Sequence, residues 1–168
     1  MRTPAPLASL LALASAALVM SVSAIPTASA RECDGVLFPE HIQARGETLT
    51  LNGLGLRKAT VFSIKVYVGA LYLAHPTSDA QMILTSRAPV EIELRFVFRV
   101  TASELRSAWT EGFEKSAAGQ LPRLQSRIAQ LDGWMTGVKS GQRMTFLRIP
   151  GVGIQSARRS RARNHHRR

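Results

Sequence analysis

Between residues 61 and 73 apolar and polar side chains alternate, with Phe62, Ile64, Val66, Val68, Ala70 and Tyr72 on one face and Ser63, Lys65, Tyr67 and Gly69 on the other. A period of two predicts a strand with one buried face. Residues 90–100 carry the cleanest pattern, because Ile92, Leu94, Phe96, Phe98 and Val100 alternate with Glu91, Glu93, Arg95 and Arg99. The mixed charge of that polar face predicts a solvated surface. Residues 49–52 predict a shorter strand ending in a turn at Gly53-Leu54-Gly55. Residues 141–149, with Met144 and Phe146 on one side, predict another strand before Pro150-Gly151-Val152-Gly153 turns the chain.

The period lengthens at Thr101, where Thr101-Ala102-Ser103-Glu104 has the spacing of a capping box and Leu105, Trp109, Gly112, Phe113 and Ala117 follow at helical intervals. An amphipathic helix is predicted from there. Pro122 suits the first turn of a second helix, in which Leu124, Ile128 and Leu131 form one stripe until Asp132-Gly133. A short helix over residues 79–85 is predicted with Ser78 as its cap and Met82 with Ile83 or Leu84 turned inward. Strands first, helices gathered in the middle, and a strand at the end predict an α+β fold: an antiparallel sheet with helices packed on one face, not a βαβ repeat.

The N-terminus adds a targeting signal. Arg2, an apolar stretch over residues 7–24 and the small residues Ala28-Ser29-Ala30 read as a secretory signal peptide over residues 1–30, with the mature chain starting at Arg31. A membrane span would need about 20 apolar residues, but this run is mostly Ala and Ser and soon meets Pro26. The expectation is export across the inner membrane to the periplasm, with no stable membrane anchor after cleavage. Cys33 is the only cysteine and follows Ala30-Arg31-Glu32, which is no lipidation signal, so it reads as a lone thiol.

What remains is the size of one domain, expected over residues 31–153. The formal net charge of +11 changes meaning once its distribution is seen. Residues 156–168 hold six arginines, no acid and no large apolar side chain, so residues 154–168 are expected to be a disordered basic tail. Clustered arginine neutralises phosphates, yet no aromatic residue interleaves it here and an exported protein seldom meets nucleic acid. No nucleic-acid partner is expected.

Motif chemistry is sparse. His41 and His75 are isolated, His165 and His166 fall in the tail, and neither a nucleophile elbow nor a phosphate loop is present. No metal site, no cofactor and no catalytic residue is assigned from motifs. Five separated segments are more specific together: Gly35-Val36-Leu37-Phe38-Pro39-Glu40, then Leu49-Thr50-Leu51-Asn52-Gly53-Leu54-Gly55-Leu56-Arg57, then Val66-Tyr67-Val68-Gly69-Ala70-Leu71-Tyr72-Leu73, then Trp109-Thr110-Glu111-Gly112-Phe113, and finally Gly141-Gln142-Arg143-Met144 with Ile149-Pro150-Gly151-Val152-Gly153. In this order the sequence, over about residues 34–153, resembles the bacterial branch of the chalcone isomerase-like family.

The resemblance implies an open-faced β-sandwich whose large antiparallel sheet carries helices on one face. It also implies two functions, since plant enzymes of the family close a ring by attack of a phenolate on an enone and inactive relatives bind fatty acids in the same cleft. Arg57 matches the cleft arginine, which stabilises developing negative charge in the enzymes and pairs with a carboxylate in the binders. Tyr67 falls where the enzymes carry a threonine that hydrogen-bonds the ketone. Ala102, Leu105 and Trp109 fall where they present a tyrosine, a lysine and an asparagine, and none of the three can position water or bind a hydroxyl. The expected function is therefore an exported, non-catalytic binder of a small apolar or fatty acid ligand through Arg57 and Tyr67. The alternative is an intramolecular isomerase of the chalcone isomerase type. Past Gly153 the family continues with a strand and an apolar helix, whereas this chain turns to Arg, Ala, Ser, Asn and His, as a shifted reading frame would. A missing last strand and helix would leave an unpaired edge beside residues 141–149 and a marginally stable protein.

Overall fold

The computed structural model describes residues 29–59 and 63–159, so residues 1–28 of the expected leader over residues 1–30, Val61 and Phe62 of the second strand, and residues 160–168 lie outside the described residues. Two short strands, β1 (Ala30–Cys33) and β2 (Val36–Pro39), form a hairpin. Six more form one antiparallel sheet in chain order: β3 (His41–Ala44), β4 (Glu47–Lys58), β5 (Lys65–Leu73), β6 (Val90–Phe96), β7 (Arg143–Ile149) and β8 (Gly153–Arg159). Between β5 and β6 lies the short helix α1 (Ala80–Thr85), and between β6 and β7 lie α2 (Ala102–Ala117) and α3 (Leu121–Trp134), joined by one 3-10 turn.

Alternation gives the sheet two apolar faces. On one, Leu49, Leu51, Val68, Ala70 and Tyr72 pack beneath Phe38 of the hairpin, which is fully buried. Burying such a ring contributes roughly 1.5–3 kcal/mol. The Tyr72 hydroxyl donates to Pro39 O at 3.0 Å, and burial, with the charge of Glu93 second, pushes the phenol up to about 12. On the other face Leu94, Phe96 and Met144 meet Leu105 of α2 and Met135 and Val138 beyond α3. The sheet is covered by a hairpin on one side and by helices on the other.

That double cover corrects the expectation of a solvated polar face on β6. Glu93 is 3% exposed. Its Oε1 accepts from Arg95 Nε at 2.6 Å, and an Arg143 nitrogen lies 3.7 Å away on the next strand. A carboxylate can be buried only when it is paired, and β6 and β7 bring the arginines to it, because Arg95 stands directly opposite Arg143 in the ladder.

Other boundaries also differ from the sequence reading. Gly53 and Gly55 do not end β4: the strand runs through them for twelve residues, absorbing an irregularity between Leu51 and Gly53. The ladder to β5 outweighs the local turn preference of glycine. Strand β6 stops at Phe96, because Val97 N and Phe98 N turn to Val66 O and Val100 pairs instead with Val138. Asp79 rather than Ser78 caps α1, accepting from Gln81 N at 2.8 Å, and Met82 and Leu84 are exposed rather than turned inward.

The largest correction is at the C-terminal side. Ile154 to Arg159, expected to be disordered, belong to β8, and the edge of β7 expected to be unpaired carries it. Val152 N donates to Ile149 O at 3.1 Å, and Gly151 and Gly153 take positive φ values of 74° and 128°, reversing the chain onto β7. Every residue of β8 is exposed, so main-chain pairing rather than apolar burial holds it. Composition argued against burial correctly but says nothing about a ladder. Among the described residues no helix follows β8.

Candidate functional site

The site begins with a helix start. Thr101 N donates to Glu104 Oε2 at 2.7 Å and Glu104 N donates to Thr101 Oγ1 at 3.2 Å, closing the predicted capping box. This sets the phase of α2, so that Leu105 and Trp109, four residues apart, point at the sheet. Leu105 is buried, and the Trp109 ring stands edge-on to Phe146 of β7 at 5.5 Å between centroids. Between α2 and strands β4 to β7 a cavity of about 570 Å³ remains.

Arg57 and Tyr67 both line it. They are direct cross-strand partners in the β4–β5 ladder, which places their side chains on the same face. Tyr67 is half-buried and meets Phe96 edge-on at 5.5 Å; among the described residues its hydroxyl has no hydrogen-bond partner. Arg57 is exposed and makes no hydrogen bond or ion pair with any described residue. Its charge reaches Glu111 of α2, whose carboxyl is held below the ordinary range first by its hydrogen bond and ion pair with Lys115 and then by Arg57. The walls are apolar, formed by Val66, Leu94, Phe96, Leu105, Trp109 and Met144.

Of the three helix positions compared with the enzymes, Leu105 and Trp109 face the cavity, while Ala102 is not among its lining residues. Sequence reasoning did not single out Ile64, Phe98, Arg99 and Lys115, which also line it. Phe98 continues the alternation of Leu94 and Phe96, which line the same cavity, and stands just past the end of β6. The described residues contain no group of three or more His, Cys, Asp and Glu side chains able to hold a metal. Chemically, the site is an apolar chamber with a permanent cation at its opening, suited to an amphiphile with an anionic end.

The sheet with helices on one face, together with this cleft, agrees with the family match, since the chalcone isomerase-like pattern covers residues 30–165. The chain belongs to the chalcone isomerase-like family. The match takes in β8, beyond the residues 34–153 on which the separate motifs rest. No curated protein matches the sequence. Among solved structures, the chain is similar to a fatty-acid binding protein from Arabidopsis thaliana at 18% identity, with 79% of each chain covered and a TM-score of 0.59. At that identity the likeness carries the fold. Within this chalcone isomerase-like frame, Arg57 and Tyr67 lie in the cleft between sheet and helix.

Proposed function

We propose that this chalcone isomerase-like protein is a non-catalytic binder of a small apolar acid, with the carboxylate at Arg57 and the apolar body against Trp109 and Leu105. The observation that carries this reading is the pairing of apolar walls with Arg57, a permanent cation in no ion pair with any described residue. A cavity of about 570 Å³ falls within the range of about 300–1,000 Å³ usual for small-molecule sites. The structurally similar Arabidopsis protein binds fatty acids, ligands of the same chemical class. Titration with a fatty acid, read by Trp109 fluorescence and native mass spectrometry, tests the reading. A protein that binds no fatty acid in either measurement would refute it.

An isomerase reading is favoured by one observation, namely that the Tyr67 hydroxyl and the Arg57 guanidinium share a cavity and could both donate to an enone oxygen. It requires loss of chalcone absorbance faster than in buffer, whereas the binder reading expects none. Export belongs to the proposal as well, and N-terminal sequencing of periplasmic material is expected to begin at Arg31. Such cleavage would remove the Ser29 carbonyl, which accepts from Glu40 N at 2.8 Å, and Ala30, which pairs with Pro39, leaving Arg31 to Cys33 paired with Val36 to Phe38.

A further inference from the structure

The cavity opens at one end of the sheet, and the residues around that opening do not look like an ordinary soluble rim. Phe98 is 50% exposed and Ile64 38%, and both line the cavity. They are neighbours in the fold, since Phe98 N donates to Val66 O at 3.3 Å and Ile64 O accepts from Ala59 N at 2.8 Å. Arg57 and Arg99 line the opening with them, and Lys58 lies beside Arg57 on the opposite face of β4; all three are exposed and none is in an ion pair with a described residue. Of the two acids lining the opening, Glu104 keeps its charge in the capping box and feels Arg99, while Glu111 pairs with Lys115, so bases still outnumber acids at this end of the sheet. Lys65, opposite Lys58 in the ladder, is neutralised by Asp34 at 2.6 Å. The surface is thus basic with two apolar side chains standing out of it.

We propose that this end of the sheet, Phe98 and Ile64 among Arg57, Lys58 and Arg99, is a docking surface for an anionic lipid bilayer, at which the cavity exchanges its ligand. Bases near an anionic leaflet are attracted to its phosphates, and an aromatic ring at the same height enters the headgroup boundary. Nucleic acid would use the basic residues and could stack a base on Phe98 but offers nothing to the aliphatic Ile64, so the apolar pair favours the bilayer. The exchange role rests on the ligand-binding reading; the docking surface does not.

Flotation of the full chain with two kinds of vesicle tests the proposal, one of phosphatidylcholine alone and one of phosphatidylcholine and phosphatidylglycerol in equal parts. Tighter binding to the anionic vesicles is expected, with about fivefold lost for each base removed, so that Lys58→Glu with Arg99→Glu binds them at least about 25-fold more weakly. The apolar residues 7–24 and the arginine-rich tail are identical in both proteins, so the difference reads this end of the sheet alone. Phe98→Ser is expected to weaken binding about tenfold and Phe98→Leu to restore most of it, which separates loss of insertion from loss of fold. Equal binding by wild type and the charge-reversed protein, equal binding to both vesicles, or retention on a nucleic-acid column that the same charge reversal abolishes while vesicle binding persists would each overturn the docking surface. Fatty-acid binding in vesicle-free buffer is read separately. If that fails while anionic vesicles still bind, the ligand reading falls and the docking surface stands.

Discussion

The guanidinium of Arg95 lies 4.3 Å from the centre of the Phe38 ring and, through its Nε, holds the buried Oε1 of Glu93 at 2.6 Å. A second nitrogen of Arg95 donates to Leu37 O, so one side chain ties the β1–β2 hairpin to the middle of the sheet. Removing it would leave Glu93 inside with only Arg143, 3.7 Å away. Arg95→Ala is therefore expected to cost about 3 kcal/mol, as the loss of one member of a buried pair does. Chemical denaturation checks this. A loss below about 1 kcal/mol would mean that Glu93 reaches water.

Arg57 is expected to matter for ligand and not for fold. A charge-assisted hydrogen bond contributes about 1.5–3 kcal/mol, so Arg57→Gln should weaken fatty-acid binding roughly 10- to 100-fold while shifting stability by less than about 0.5 kcal/mol. Fluorescence titration and a thermal melt on the same sample separate the two effects. Equal affinity would place the carboxylate elsewhere.

Thr101→Ala should cost about 1 kcal/mol by opening the capping box. The hydrogen bond from the Thr101 backbone, then that from its hydroxyl, hold the Glu104 carboxyl below its ordinary range. A lowered carboxylate contributes stability above its unfolded value and loses it as pH falls through the folded value. The wild-type helix signal in circular dichroism is therefore expected to fall in acid, and the variant to show a smaller acid-dependent change from a lower starting point.

Glu91 should behave in the opposite sense. Burial first, and the neighbouring Glu93 second, raise its carboxyl above the ordinary range, so ionisation is disfavoured in the folded state. Its contribution is fully present below the unfolded value and is lost as pH rises through the folded one. Glu91→Gln should raise the melting temperature at neutral pH and give no gain in acid. Melts at the two pH values decide it, and a gain in acid alone would contradict the assignment.

How much of this was legible in the sequence depended on how local the cause was. The capping box at Thr101 and Glu104 spans three residues and was readable as written, as was Pro122 at the start of α3. The alternation on β6 showed two faces but not what lies over them, because Phe38, which meets Arg95 on the polar face, comes more than fifty residues earlier in the chain. Arg57 could be placed in a cleft only by family likeness, since nothing around it distinguishes it from a turn arginine. Strand β8 was unreadable from apolar pattern because it has almost none.

In the sheet every strand from β4 to β8 pairs with its predecessor in the chain. As the chain emerges N-terminus first, β3 pairs with β4 and each later strand then meets an edge that already exists. The exception is the interval from Phe96 to Arg143, where both helices must emerge before β7 can join β6. Loop closure grows only with the logarithm of length, so that pause costs time more than free energy. Until it ends, the free edge of β6 presents Leu94 and Phe96 to whatever is nearby. It is the stage at which a nascent chain of this shape would most need a chaperone.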